Sequence, residues 1–503
     1  PLTEATVDSS SIKLLVQGEE VAGTVAYADS KVTFTPEQPL ALLGEYSVAI
    51  TTAVTDAEGA PLAEAFESTF LVRDGKFHVT TAVDDDVHEL ASSVPVESNG
   101  SVLLSWIARA KGEDCPVIYQ RFLRGAAVDS PQPLSALGAT SCSTVSARAT
   151  SNGLAAVSWA ERGGQRPFAA HVRQYRDGEW SADKMLSADF ESGLLSLGLA
   201  RSGMVSLFEN LPDATDAYRI DLAGEWAEQP DKLGATGSAV APTAVEFDDA
   251  GNGLALWRAT KSGVEQLYFS RFRAASGKWA AATFLPGSKA SEGGSGYERG
   301  VPALATDPQG KAVALWLAAE GTTATPKLMA SHYNAISGWA PPLPIGMTFS
   351  GAPMDEPPAL VFDGETFVAA FLAYQGSELQ TVVTRFDATN SVWSRPEPRQ
   401  SLGDPSSVTR MPKLASDGRG HLILVWASDA GSTYQFYYQR YANAAWGATT
   451  AVPGGAIEHP DFPLSSSFSW SLASNTDGLA ALAWTDDDGS GVSTKRIRLA
   501  SFY

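Results

Sequence analysis

The chain has 503 residues and a net charge of −21, with 44% hydrophobic but only 18% charged residues. This length allows two to four ordinary domains, or one small domain beside a large repetitive one. The 45 Gly, 29 Pro and 13 Trp exclude a disordered chain and a coiled coil. Apolar runs fall far short of the roughly 20 residues of a transmembrane helix. The acidic balance argues against nucleic acid and anionic membrane surfaces as partners.

The first 74 residues carry strand-like segments that differ from those of the remaining chain. They are Pro1–Val7, Val21–Tyr27, Val32–Pro36, Pro39–Leu40, Gly44–Val48, Val54–Leu62 and Phe66–Phe70. In order and spacing these segments resemble the bacterial Ig-like domain of the surface-layer SbsA type. The resemblance implies an Ig-like β-sandwich that acts as a spacer or attachment unit at a cell surface, with no catalytic residues.

Members of that family have one or two further strands before the segment that corresponds to Pro1–Val7. One explanation is that the true N-terminus was cleaved, disordered or omitted. The alternative is that the open sandwich accepts a β-strand from another chain or a preceding domain, because a missing strand leaves backbone groups unpaired beside an apolar groove.

From about Lys76 onward one pattern occurs eight times: a short run, a Gly turn, an apolar run ending in an aromatic residue, and two further strand-like runs. In six copies Trp follows Gly by six residues, and these tryptophans are Trp106, Trp159, Trp257, Trp316, Trp426 and Trp484. In the two variant copies the aromatic residues are Phe208 and Phe371. A second Trp opens the last strand of six copies, as Trp180, Trp226, Trp279, Trp339, Trp393 and Trp446. Four strands about every 53 residues are typical of a β-propeller.

The turns and the runs behind them have the chemistry that antiparallel strands need. In Asp307–Gly310 the Asp is able to bond its own backbone and the Gly is able to adopt a positive φ, so we predict a tight turn. Runs such as His421–Trp426 are too short for helices and too continuously apolar for exposed strands, which indicates buried sheet.

The eighth copy ends one strand short, at Tyr503, and a strand-like segment with Phe77 precedes the first copy. We therefore predict an all-β protein with an Ig-like sandwich at residues 1–74 and an eight-bladed propeller at residues 75–503. The outer strand of the last blade comes from about residues 76–83. An open solenoid of eight sheets is the alternative, but it leaves this strand unexplained and both end blades uncapped.

In such a propeller, the loops from the second to the third strand and from each blade to the next share one face, and we predict ligand binding there. Ring closure brings two acidic tracts together on that face, Asp84, Asp85 and Asp86 with Asp486, Asp487 and Asp488. Clustered carboxylates repel one another unless neutralised, and hard oxygen ligands suit Ca²⁺. Two solvated loops that splay apart are the simpler explanation, and neither tract matches an EF-hand.

The two cysteines, Cys115 and Cys142, are placed on the same face. A disulfide between them would constrain the unfolded chain by about 3 kcal/mol, and two buried free thiols are the alternative. Because no CxxC motif or paired His accompanies them, metal binding by this pair is disfavoured.

Each copy places one residue just past the strand-ending aromatic, at the mouth of the channel: Arg109, Glu161, Glu209, Arg258, Glu320, Tyr374, Asp429 and Asp486. Their identities differ between copies, which favours one asymmetric ligand over eight equal sites. Trp470 lies outside the repeat positions, where other copies have Pro. An exposed Trp470 would stack on a sugar, whereas a buried one would fill a gap between blades.

These features predict an exported, bacterial cell-surface protein that binds a glycan or a protein. The low Lys content and the two cysteines support export, with any signal segment removed or outside this sequence. A carbohydrate-active hydrolase or lyase at the propeller mouth and a structural subunit joined by strand complementation are the alternatives. The repeats are similar in style to secreted propellers related to sialidases, but the Arg-Ile-Pro segment and the Asp-box of sialidases are missing, so that activity is not transferred.

Overall fold

A computed structural model gives the fold of the chain. It describes residues 1–91, 93–108, 116–135, 141–150, 153–162, 168–176, 178–190, 195–211, 214–220, 225–227, 229–234, 238–239, 243–261, 264–288, 302–318, 327–348, 358–375, 378–388, 390–399, 412–429, 433–457, 469–487 and 495–503.

The N-terminal segment forms a small β-sandwich. It starts with a 3₁₀ turn at Glu4–Thr6. Its six strands are β1 Ile12–Val16, β2 Glu19–Glu20, β3 Gly23–Ala28, β4 Lys31–Pro36, β5 Glu45–Ile50 and β6 Phe66–Leu71. One sheet has the order β2-β1-β5-β6, and the β3-β4 hairpin forms the second. Val7, Ile12 and Val54 are buried between them.

Strand β6 lies at the edge of the four-stranded sheet and is exposed along its whole length. Among the described residues it pairs with β5 alone, with Phe66 opposite Ile50 and Phe70 opposite Tyr46. Directly opposed residues share a sheet face, and Ile50 packs against the core of the sandwich. Phe66 is nevertheless 52% exposed and Phe70 40% exposed, so the core of the sandwich is open along this edge.

The remaining strands form eight antiparallel blades. The first four contain, in order, β7 Thr81–Leu90, β8 Ser101–Ala108, β9 Val117–Leu123, β10 Ala126–Ala127 and β11 Gln132–Pro133; β12 Ser141–Ala149, β13 Ala155–Arg162, β14 Phe168–Arg176, β15 Glu179–Trp180 and β16 Lys184–Phe190; β17 Leu195–Leu199, β18 Val205–Asn210, β19 Thr215–Ile220 and β20 Asp231–Lys232; β21 Ser238–Ala239, β22 Ala244–Phe247, β23 Gly253–Lys261, β24 Val264–Arg273, β25 Lys278–Trp279 and β26 Thr283–Phe284.

Blades five to eight repeat the plan. They contain β27 Ala303–Thr306, β28 Ala312–Ala318, β29 Lys327–Asn334, β30 Gly338–Trp339 and β31 Leu343–Thr348; β32 Ala359–Phe362, β33 Phe367–Gln375, β34 Glu378–Asp387, β35 Val392–Trp393 and β36 Glu397–Pro398; β37 Lys413–Ser416, β38 Leu422–Asp429, β39 Tyr434–Ala442, β40 Ala445–Trp446 and β41 Thr450–Ile457; and β42 Trp470–Ser474, β43 Ala480–Asp487 and β44 Lys495–Phe502. Innermost strands of successive blades contact one another around the ring.

The aromatic residues that define the repeat form the core between blades. The six first-position tryptophans, Phe208 and Phe371 are each at most 2% exposed. Second-position tryptophans pair with the end of the third strand, as Trp279 does with Phe272. At the predicted turn, Asp307 accepts hydrogen bonds from the backbone N–H groups of Gln309 (2.9 Å) and Lys311 (2.8 Å), and Gly310 has a φ of 81°.

The ring closes as predicted, with an N-terminal strand completing the last blade. The first half of β7 pairs with β44, and its second half pairs with β8 of blade one. Phe77 forms a β-bridge with Phe502 and is 2% exposed. One continuous strand is therefore both the outer strand of blade eight and the start of blade one, so the open solenoid is excluded.

The sandwich rests on the hairpin turns of blades seven and eight. Leu42 is buried in a cluster that includes Phe502 and Leu479, and its N–H donates to the carbonyl of Asp477 (2.8 Å). The guanidinium of Arg440 lies 3.3 Å from the carboxylate of Asp74. In the described part of the chain no helix has the length and apolar character of a membrane span.

Candidate functional site

The central channel of the propeller holds a cavity of about 520 Å³ to which all eight blades contribute. Its walls are the downstream halves of the innermost strands, and its rim is formed by the hairpin turns that follow them. In an antiparallel blade these turns lie on the face opposite the loops that lead from the second to the third strand. The described cavity therefore opens on the opposite face from the one predicted for ligand binding.

The strands of the wall contribute two charged side chains to this cavity, Arg148 of β12 and Glu246 of β22. Each stands five residues before its turn glycine, Gly153 or Gly251, so the two occupy equivalent positions on blades two and four. Burial raises the pKa of Glu246 to about 7, and the positive charge of Arg148 works against that rise. Near neutral pH, Glu246 is thus able both to donate and to accept a proton.

Between these two blades, β17 has Gly198 at the equivalent position. A Cβ atom there would lie 2.5 Å from a methyl carbon of Val245. Only glycine fits the packing of blade three against blade four at this level. Arg148 and Glu246 therefore lie on the two blades that flank this glycine position of blade three.

The cavity combines an apolar wall with a polar rim. Leu199, Phe247 and Phe362 are partly buried in the wall. At the rim, the guanidinium of Arg201 pairs with the carboxylate of Asp249 at 3.1 Å, and both side chains are 45% exposed. This combination suits a ligand that has both hydroxyl groups and apolar faces.

Two rim carboxylates are already engaged within their own turns. Asp417 accepts hydrogen bonds from the backbone N–H groups of Arg419 (2.8 Å) and His421 (3.2 Å), and its second oxygen lies 2.7 Å from Nδ1 of His421. Asp307 is likewise bonded to its own turn. These acids fix the shape of the rim.

Four of the predicted mouth residues have described side chains. Asp486 is treated below with the acidic tracts, and each of the other three has a partner inside its own blade. Glu161 accepts a hydrogen bond from the indole N–H of Trp159 at 2.6 Å. Glu209, 2% exposed, accepts from the hydroxyl of Tyr218 at 3.1 Å. Arg258, 3% exposed, pairs with Glu265 at 2.9 Å. Ligand binding by these three residues stays a prediction.

His171 adds an imidazole to the cluster around Glu161. Its ring stacks on Trp159 with centroids 5.3 Å apart. Nδ1 lies 2.8 Å from the carboxylate of Asp183, and Nε2 lies 3.7 Å from that of Glu161. His171 is only 7% exposed, and its contacts with Trp159, Asp183 and Glu161 all lie within blade two. The cluster therefore stabilises the packing of this blade.

Trp470 is 5% exposed and packs against Phe436, with ring centroids 5.1 Å apart. The ammonium group of Lys413 lies 5.0 Å from the centroid of the indole. These contacts favour the gap-filling interpretation of Trp470, and we do not include it in the candidate site.

The two acidic tracts lie on one sheet, on the two strands that flank β44. Asp84 accepts a hydrogen bond from the indole N–H of Trp106 at 2.9 Å. Asp486, 2% exposed, lies 3.2 Å from the guanidinium of Arg496 and 3.6 Å from that of Arg498. Arginines therefore neutralise part of this charge, and the described side chains contain no group of three or more potential metal ligands.

Several predicted site residues have no described position. Arg109, Cys115, Glu320 and Asp488 lie outside the described residues, as do the side chains of Asp85, Asp86, Cys142, Tyr374, Asp429 and Asp487. The disulfide and most of the predicted ligand face therefore stay predictions.

The sequence contains a signal for Arg148 and Glu246 that the prediction of the loop face did not use. Five residues before the turn glycine, five other copies have Pro95, Gly198, Ala305, Ala415 and Ala473. A charged residue at a position that is small or cyclic in these copies departs from the repeat. Comparing the copies column by column identifies both residues.

Residues 1–72 match the family of bacterial Ig-like domains. The predicted Ig-like part is thereby confirmed, and this match does not extend to the propeller. A comparison with curated proteins finds no significant match.

Solved structures with a similar fold are distant. A protein of unknown function from Dyadobacter fermentans has 9% identity and a TM-score of 0.40, over 86% of this chain and 99% of that one. The polysaccharide lyase Uly1 has 9% identity and a TM-score of 0.42, over 75% and 98%. A sialidase described as Hadza microbial has 14% identity and a TM-score of 0.33, over 67% and 72%. We draw no functional conclusion from likenesses this weak.

Proposed function

We propose that this is an exported, cell-surface binding protein that holds a glycan in the central channel, with the Ig-like domain as spacer or attachment unit. The observation that carries the proposal is the cavity of about 520 Å³, which Arg148 and Glu246 line together with apolar side chains such as Phe247 and Phe362. A sugar offers hydroxyl groups to these two side chains and apolar ring faces to Phe247 and Phe362. The predicted loop face is a second surface for the same role, and a protein ligand is the other outcome.

A glycan-array screen of the full chain tests this proposal, using the wild type, Glu246→Gln, Arg148→Ala and the control Glu365→Gln. Glu365 is exposed in a turn on the same face but does not line the cavity. We expect binding that the first two variants weaken and the control retains. The channel site is refuted if wild type and Glu246→Gln bind the same glycans equally well.

One observation favours an enzyme as second candidate. A carboxyl group with a pKa of about 7 is suited to general acid–base catalysis near neutral pH, and Glu246 has that property. Hydrolysis or elimination usually needs a second acidic or basic group beside the first. Asp249, on the rim of the same blade, is a candidate for that group, but its carboxylate is paired with Arg201. Incubation with acidic polysaccharides, followed by assays for reducing ends and for unsaturated products, decides between binding and cleavage. Cleavage that Glu246→Gln abolishes would establish the enzyme.

The open edge of β6 favours strand complementation as a further role of the Ig-like domain. An unpaired edge beside exposed Phe66 and Phe70 is a template for a strand from another chain. Sedimentation velocity of the wild type and of Phe66→Ser tests this role. Concentration-dependent assembly that the substitution removes would support it, and a monomer at all concentrations would count against self-complementation.

Calcium binding between the acidic tracts also stays a proposal. The support is their position on one sheet, on either side of β44. Isothermal titration with CaCl₂ tests it, with Asp486→Asn as the variant. Saturable binding that Asp486→Asn weakens supports the site, and the absence of binding heat removes it.

A further inference from the structure

A second cavity, of about 300 Å³, lies between the outer parts of blades six and seven. From blade six it is lined by Arg385, Ser394, Glu397 and Arg399, and from blade seven by Tyr441, Ala444, Ala445 and Trp446. We call it the interblade groove. It is separate from the central channel, since the two cavities share no lining residue.

Arg385 has a counterpart in blade one that shows what the groove lacks. There, Arg121 donates its backbone N–H and its Nε–H to the carboxylate of Asp129, at 3.0 and 2.8 Å. In blade six the backbone N–H of Arg385 donates instead to the hydroxyl of Ser394, at 3.0 Å. Serine thus replaces the carboxylate that the equivalent arginine uses in blade one.

The guanidinium of Arg385 is held in place but is only partly satisfied. Nη1 bonds to the buried carboxylate of Asp363 at 2.6 Å, and the group lies over the ring of Tyr441 at 4.1 Å from its centroid. Nη2 is buried without a hydrogen-bond partner among the described residues. A buried donor without a partner destabilises the folded protein, and a group that accepts a hydrogen bond from it removes that destabilisation.

Arg399 brings a second guanidinium to the groove. It lies 5.4 Å from the centroid of Trp446 and contacts the carboxylate of Glu397, which is itself 69% exposed. Its Nε is also buried without a described partner. The groove therefore offers two positioned arginines that each have an unused donor, and one exposed carboxylate that is able to accept from hydroxyl groups.

We propose that the interblade groove binds a sugar unit that bears a carboxylate, a uronate. The ligand carboxylate supplies the acceptor that Nη2 of Arg385 lacks, because guanidinium groups favour planar anionic acceptors. The volume exceeds what a carboxylate alone fills, and Glu397 with the aromatic wall of Trp446 suits a hydroxylated ring. The site extends the proposed glycan-binding function, but it uses different residues.

The decisive variant is Ser394→Asp, because it supplies from the chain the carboxylate that we assign to the ligand. Its matched control is Ser394→Ala, which removes the same hydroxyl and leaves the groove open. The experiment is isothermal titration of the full chain with D-glucuronate, D-glucose and acetate. We expect glucuronate to bind best, Ser394→Ala to retain binding, and Ser394→Asp to weaken it at least about tenfold without lowering the melting temperature.

Three results would overturn the proposal: equal binding of glucose and glucuronate, equal binding of acetate and glucuronate, or unchanged glucuronate binding in Ser394→Asp. Lack of any glucuronate binding by the wild type would also overturn it. Glu246→Gln separates the two sites, since it should leave glucuronate binding in the groove intact while it weakens glycan binding in the channel. Failure of one proposal is thus distinguishable from failure of the other.

Discussion

Ring closure predicts that Phe77→Ala destabilises the propeller strongly, although the residue lies at the start of the repeat domain. Phe77 is 2% exposed and makes edge-to-face contacts with Tyr438 and Phe502, at centroid distances of 5.0 and 5.3 Å. Truncating a buried Phe to Ala costs about 3–5 kcal/mol, since apolar contact is lost and a cavity remains. The two aromatic contacts place this residue toward the upper half of that range, about 4 kcal/mol.

Urea unfolding followed by tryptophan fluorescence measures this change. The matched control is Val79→Ala, two residues further along the same segment, because Val79 is 77% exposed and should change the free energy of unfolding by about 0.5 kcal/mol or less. If Phe77→Ala destabilises no more than Val79→Ala does, the packing of this segment on blade eight does not stabilise the ring, and closure by this strand has no energetic role.

Single contacts lead to three more predictions. Burial raises the pKa of Glu246 from 4.5 to about 7, so between these pH values the folded state holds a proton that the unfolded state releases. The free energy of unfolding should therefore fall by up to about 3 kcal/mol between pH 4.5 and 7. Urea titrations at a series of pH values measure this fall, and Glu246→Gln should remove it. Gly364→Ala should lower the free energy of unfolding by several kcal/mol, since the φ of Gly364 is 107° and a Cβ would lie 2.3 Å from a backbone oxygen of the facing turn. The control Gly338→Ala, which has open space around it, should lower the free energy by only about 1 kcal/mol, and thermal unfolding measures both. Asp84→Ala should cost about 1–3 kcal/mol because the buried indole N–H of Trp106 loses its acceptor, and equal stability of variant and wild type would contradict this assignment.

Much of the fold was predictable because its determinants are local and repeated. A turn such as Asp307–Gly310 needs only side-chain oxygens that bond nearby backbone and a glycine at positive φ. The tryptophan that follows it is then the end of a buried strand, as Trp316 is. The count of strands in the last copy predicted the closing role of Phe77 and its neighbours, which the pairing of β7 with β44 confirms.

The candidate sites were less predictable because they depend on which side chains meet across blades. Arg148 and Glu246 are 98 residues apart in sequence and act on one another only because the ring brings blades two and four to one channel. Likewise, the groove around Arg385 depends on the ring of Tyr441 in the next blade. Charge patterns at loop ends drew attention to the opposite face, where Glu209 and Arg258 turned out to be paired within their own blades.

The strand that completes blade eight is also the segment by which the Ig-like domain is joined to the ring. Backbone hydrogen bonds link Lys76 with Tyr503 (3.2 Å) and His78 with Ser501 (3.0 Å). Mechanical tension applied through that domain would therefore act directly on the place where the ring is closed. The resistance of such a protein to pulling would depend on this closure, which is held by these backbone bonds, the pairing of β7 with β44 and the packing of Phe77.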